Sequence, residues 1–89
     1  MMNDTPFYNK LHIFPEGVCE VWYQNRRYLL RKNTQLKGKL IKIYAEELGG
    51  NDFISGNYYV SLSNGILKPC EMPHEKVIRF ILEAQLLTA

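Results

Sequence analysis

Alternation dominates the first third of the chain. Val21, Tyr23, Tyr28 and Leu30 fall on one side of two extended runs, and Glu20, Trp22, Arg27 and Arg31 fall on the other. Period-two alternation of β-branched and aromatic residues predicts a hairpin, with strands at 18–23 and 27–32. Asn25-Arg26 is the expected two-residue turn, because Asn tolerates positive φ. That turn sets Tyr23 opposite Tyr28, Val21 opposite Leu30 and Cys19 opposite Lys32. On the second face it sets Trp22 opposite Leu29, Glu20 opposite Arg31 and Gln24 opposite Arg27. The first face reads as core. The second reads either as an aromatic among guanidinium groups, able to stack on a base or a peptide, or as a covered Trp beside solvated arginines.

A shorter alternation at 10–14, Leu11 and Ile13 against His12 and Phe14, predicts a preceding strand. Pro15-Glu16-Gly17 would turn it into the hairpin, giving a three-stranded meander. Segment 36–48 repeats Leu36, Leu40, Ile43, Tyr44 and Leu48 at helical spacing before Gly49-Gly50, and is read as a helix. A strand at 39–45 is the rival. Gly38 weakens a helix, and lysines at its start with Glu46 and Glu47 at its end oppose the macrodipole.

Residues 49–57 read as a loop, and Tyr58, Val60 and Leu62 mark a strand at 57–62. Asn64-Gly65 is the strongest hairpin turn in the chain, with a return strand at 66–68 stopped by Pro69. Pro73 opens a C-terminal helix. Val77, Ile78, Ile81, Leu82 and Gln85 line one of its faces, and Phe80, Ala84 and Leu87 a second. So much apolar circumference predicts a helix wedged in the core or covered by a second copy of the chain, a homodimer. The resulting class is α+β: a small antiparallel sheet, made of the meander plus a second hairpin, with a middle and a C-terminal helix packed on it.

Composition changes this picture little. The 89 residues suffice for one domain spanning 1–89, with 1–8 expected to be flexible. Hydrophobic content of 46% and charged content of 22% are ordinary globular values. No apolar run is long enough to cross a bilayer, and no signal peptide opens the chain. Two cysteines without an export signal point to a reducing cytoplasm and free thiols.

Charge changes it more. Between Val21 and Ala45 the chain carries Arg26, Arg27, Arg31, Lys32, Lys37, Lys39 and Lys42 and no acid, although net charge is only +2. Such a block attracts phosphates or an acidic protein, or is simply a solvated surface. Trp22, Arg26, Arg27, Arg31, Lys37, Lys39 and Lys42 are therefore the candidate binding residues of a small non-enzymatic module.

Three further constellations compete with it. His12, Cys19, Cys70 and His74 are the inventory of a tetrahedral zinc site, though without the usual cysteine spacing, so that no metal or other cofactor is expected. Cys70 before a helix N-terminus, with Cys19 resolving and His74 as base, would suit a thiol oxidoreductase such as one acting on oxidised methionine. The Gly-Cys-Phe-Trp and Arg-Tyr-Cys motifs of methionine sulfoxide reductases are absent. The Gly49–Asn57 loop lacks Walker spacing and leaves Asn51, Asp52 and Asn57 as loop candidates.

Overall fold

A computed structural model of the chain describes residues 5–60 and 65–87. Its elements are helix α1 (Thr5–Ile13), strands β1 (Gly17–Tyr23), β2 (Arg26–Gln35), β3 (Leu40–Glu47), β4 (Phe53–Tyr59) and β5 (Ile66–Pro69), helix α2 (His74–Glu83), and the two-residue strand β6 (Gln85–Leu86). The strands form one open antiparallel sheet in the order β5-β4-β3-β2-β1-β6. The class is thus α+β, but the sheet has six strands rather than a meander and a separate hairpin.

Both helices cover the same face. Side chains alternate along a strand, and the core cluster takes one set from each strand, including Val21, Tyr28, Leu30, Ile41, Ile43, Ala45, Ile54, Tyr58 and Leu67. Phe7 and Leu11 of α1, Phe14 just beyond it, and Val77, Phe80 and Ile81 of α2 complete the cluster. Phe80 is the keystone: its ring meets Tyr23 at 4.9 Å and Tyr28 at 5.2 Å between centroids, and it is 0% exposed.

The hairpin turns at Gln24-Asn25, with φ of 51° and 62°, one residue earlier than the expected Asn25-Arg26. Two successive positive φ values match the twist of the flanking strands. The partners become Tyr23 with Arg26, Trp22 with Arg27 and Val21 with Tyr28. This moves the pairing by two residues, so every side chain keeps its predicted face.

Residues 10–14 are not a strand. Phe7, Leu11 and Phe14 recur at intervals of four and three, which is one face of a helix, and all three are buried while Ile13 is exposed. Residues 5–8, expected to be flexible, form the start of α1, and Phe7 is buried there. Segment 36–48 is not a helix. Ile41, Ile43 and Ala45 are buried between Lys42 and Tyr44, and β3 is hydrogen-bonded on both sides, a setting that favours β-branched residues. Ahead of it, Leu36, Lys37 and Gly38 all take positive φ and make the tight reversal from β2.

β4 begins at Phe53, inside the expected loop, because Ile54 fills a core position between Ala45 and α2. Asn64 of the expected Asn64-Gly65 turn lies outside the described residues, as do residues 61–63 before it. Pro69 closes β5 at a sheet edge, where a missing N–H is tolerated. Pro73 is the N-cap of α2, and Gln85 and Leu87 lie beyond the helix, not on its faces.

Two lysines close the helices. Lys32, 8% exposed, donates to the carbonyls of Leu11 and Phe14 at 2.8 and 2.9 Å, at the end of α1. Lys10 donates to the carbonyls of Ile81, Leu82 and Ala84 at 3.0, 3.0 and 2.6 Å, at the end of α2. Each puts an ammonium where the last carbonyls of a helix lack partners.

Candidate functional site

The alternation that fills the core on one face of the sheet sends a second set of side chains to the other. No described helix covers that second face. Strand register arranges it in rows that run across the sheet. Val18, Arg31, Tyr44 and Ser55 lie in one row, and Asn33, Lys42, Asn57 and Lys68 in the next. Gln35, Leu40, Tyr59 and Ile66 form a third. Toward the other end lie Glu20, Leu29, Glu46 and Phe53, and then Trp22 and Arg27.

Large apolar side chains stand exposed here: Trp22, Tyr44, Phe53 and Tyr59 are 38–41% accessible. Tyr44 and Phe53 stack, with centroids 6.4 Å apart and planes 26° from parallel. Lys68 sits 5.7 Å from the Tyr59 ring centroid. Exposed aromatics gathered on one uncovered face, with Val18 and Ile66 exposed beside them, mark an interaction surface rather than ordinary solvent contact.

The charges on this face divide by row. Arg27 is ion-paired with Glu20, which neutralises it. Arg31, Lys42 and Lys68 form no ion pair among the described residues. Their rows contain no acid, and Lys37 and Lys39 add charge at the β2–β3 reversal beside them. Glu20 and Glu46 stand in the adjoining row, and Glu16 at the rim is occupied by the backbone N–H and hydroxyl of Thr34.

The predicted binding residues therefore separate. Trp22, Arg27, Arg31 and Lys42 share the open face. Arg26 lies on the opposite alternation and pairs with Glu47 at 3.5 Å. Lys37 and Lys39 are exposed at the rim, and Lys32, counted in the basic block, is buried as a helix cap. Trp22 lies opposite Arg27, and Lys42 opposite Asn33 six residues further along β2, so roughly 20 Å of strand separates the Trp from the lysine row. Tyr44, Phe53, Tyr59 and Lys68 were missed. The signal for the three rings is the alternation through 40–46 and 53–59, which a helix over 36–48 and a loop over 49–57 conceal; Lys68 joins them only through the pairing of β5 with β4.

The thiol and imidazole residues are not brought together. Cys19 is on β1 and Cys70 just beyond β5, four strand spacings apart, or roughly 19 Å. A disulfide requires Cα atoms within about 7 Å, so Cys19 cannot resolve Cys70 without a large rearrangement. His12 is exposed on α1 against Tyr8, His74 opens α2, and no three potential ligands form a metal-binding group among the described residues. Burial pushes the Cys19 thiol up, opposed by the Lys32 charge. Cys70 precedes α2 by Glu71, Met72 and Pro73 and does not occupy its N-cap.

No family model, curated protein or solved structure matches the chain.

Asp52 is a strut. It accepts from Tyr28 Oη at 2.7 Å and Lys76 Nζ at 2.8 Å, tying the β3–β4 connection to α2. Burial pushes its carboxyl up, but the bonds from Lys76 and Tyr28 and the Lys76 charge outweigh this and hold it below the usual range. Burial, then Asp52 itself, pushes the Tyr28 phenol up to about 12. An open cleft of about 310 Å³ lies beside them, lined by Tyr23, Gln24, Glu75 and Arg79. Its acids and bases balance, which leaves no net charge to recruit an ion. Asn51 is exposed in the connection, and Asn57 is on the open face.

Proposed function

We propose that this protein is a non-enzymatic nucleic-acid-binding module and that the open face of the sheet is its binding surface. The observation that carries the reading is the coincidence of cations that form no ion pair among the described residues with exposed aromatic rings on one face: Arg31, Lys42 and Lys68 beside Tyr44 and Tyr59. Cations supply the phosphate attraction and aromatic rings supply stacking, the two contributions on which sequence-tolerant nucleic-acid binding rests. An acidic protein surface satisfies the cations equally well but makes less use of flat rings.

A salt titration tests the proposal. Affinity for mixed-sequence DNA and RNA should fall linearly on a log–log plot as salt rises. Lys42→Gln should flatten the slope by about 0.7–0.9, the contribution of one phosphate contact. Absence of binding at low salt, or affinity indifferent to salt, would refute it.

A further inference from the structure

The form of the nucleic acid follows from the shape of the face, granted the reading above. We infer that the ligand is a single strand, lying across β3 and β4, with bases on Tyr44, Phe53 and Tyr59 and phosphates on Arg31, Lys42 and Lys68.

Six strands at about 4.8 Å make a face roughly 24 Å across, whereas the major groove of duplex DNA is about 12 Å wide and admits a helix or a two-stranded ribbon. No described helix projects from this face, because α1 and α2 pack on the other side. A duplex can therefore touch the sheet only with its backbone, and its stacked base faces stay out of reach of the rings. A single strand exposes those faces. Each base then gains a stacking partner that is indifferent to base identity.

The positions fit a short stretch of chain. Tyr44, Lys42 and Leu40 follow one another on β3 at every second residue, and Tyr59 lies opposite Leu40. The aromatic rows at Tyr44 and Tyr59 are thus roughly 14 Å apart along the strands, with the lysine row between them. Tyr44 and Phe53 are already mutually stacked, so their rings are held before any base arrives. Lys68 is poised over Tyr59, placing a cation beside a stacking surface. Trp22 is outside this path, beyond Arg27 and its Glu20 partner.

The test is fluorescence anisotropy with a labelled oligothymidylate, the matching oligouridylate, and the thymidylate annealed to its complement, all at one salt concentration. The single strands should bind at least about tenfold more tightly than the duplex. Tyr44→Ala and Tyr59→Ala should each weaken single-strand binding by about 5- to 150-fold, the range for loss of one base stack. Trp22→Ala should change it less than about twofold. Lys42→Glu and Lys68→Glu, at exposed positions that leave the core intact, should weaken it as well. Duplex binding as tight as single-strand binding overturns the inference while leaving the proposed function standing, and so do aromatic variants that bind normally. A preference beyond about tenfold for one sugar also overturns it, since stacking and charge are common to both backbones. Binding to none of the three probes overturns the proposed function itself.

Discussion

The two faces of the sheet use the same residue types for opposite purposes. On the covered face, Lys10 and Lys32 turn inward and end their reach on helix carbonyls. On the open face, Lys42 and Lys68 carry no carboxylate partner among the described residues. Tyr23 and Tyr28 lock edge-on against Phe80, whereas Tyr44 and Tyr59 leave about two-fifths of their surface in solvent. The lesson is that neither a lysine run nor a tyrosine count identifies a site. What distinguishes the faces is whether each polar group has already been satisfied by the fold.

The largest test of this difference removes one ring from each side. Phe80→Ala should lower stability by about 3–5 kcal/mol, since the ring is wholly enclosed and the cavity cannot collapse around two helices. Tyr44→Ala should lower it by no more than about 1 kcal/mol, the span of strand preferences at an exposed position. Urea titrations of the two variants give the comparison directly, and comparable losses would break the distinction.

The lysines provide the next test. Lys32→Met keeps the stem but strips the donor from the carbonyls of Leu11 and Phe14, at a cost of about 1–3 kcal/mol for buried acceptors left without a partner. Lys42→Met should remain within about 0.5 kcal/mol of the parent, as for other exposed substitutions. A denaturation midpoint unchanged in Lys32→Met would show that water replaces the ammonium without loss.

Proton titration sharpens the contrast further. The folded phenol of Tyr28 titrates near 12, above the ordinary value of about 10. A group raised in the folded state contributes stability that is whole below its unfolded value and declines as pH climbs through its folded one. Unfolding free energy should therefore drop between about pH 10 and 12, and Tyr28→Phe should reduce that drop, leaving the smaller share due to Tyr23, which burial also raises. Asp52 works in the other direction. Its depressed carboxyl contributes stability above about pH 4 that is lost as pH falls through its folded value, and Asp52→Asn should flatten the acid limb.

Legibility in the sequence followed the length of each pattern. The hairpin at 18–32 alternates for long enough that its faces could be assigned even with the turn one residue misplaced. The error shifted pairing by two and preserved parity. Residues 10–14 offered only five positions, over which strand and helix spacing coincide, and Phe7, the residue that resolves them, lay in a segment expected to be flexible. In 36–48 the apolar positions satisfied both periods, and the deciding influence was nonlocal: β3 is flanked by β2 and β4. The site suffered in proportion. Arg31 and Lys42 were legible as charges, but Tyr44 joins them only in a strand, Tyr59 only through register with β3, and Lys68 only through register with β4. The lysine caps left no local trace, because their acceptors are set by tertiary packing.

Lys10 carries a consequence for how the chain is made. Its three acceptors lie 71, 72 and 74 residues downstream. As the chain leaves the ribosome, α1 emerges well before α2, yet the Lys10 ammonium has all three carbonyls only after Ala84 has been added. Until then the Phe7, Leu11 and Phe14 side chains lack the α2 partner that covers them, and loop closure across nearly the whole chain must precede their burial. The earlier helix is thus completed by the later one, and a nascent chain stalled before α2 presents an apolar stripe for chaperones to hold.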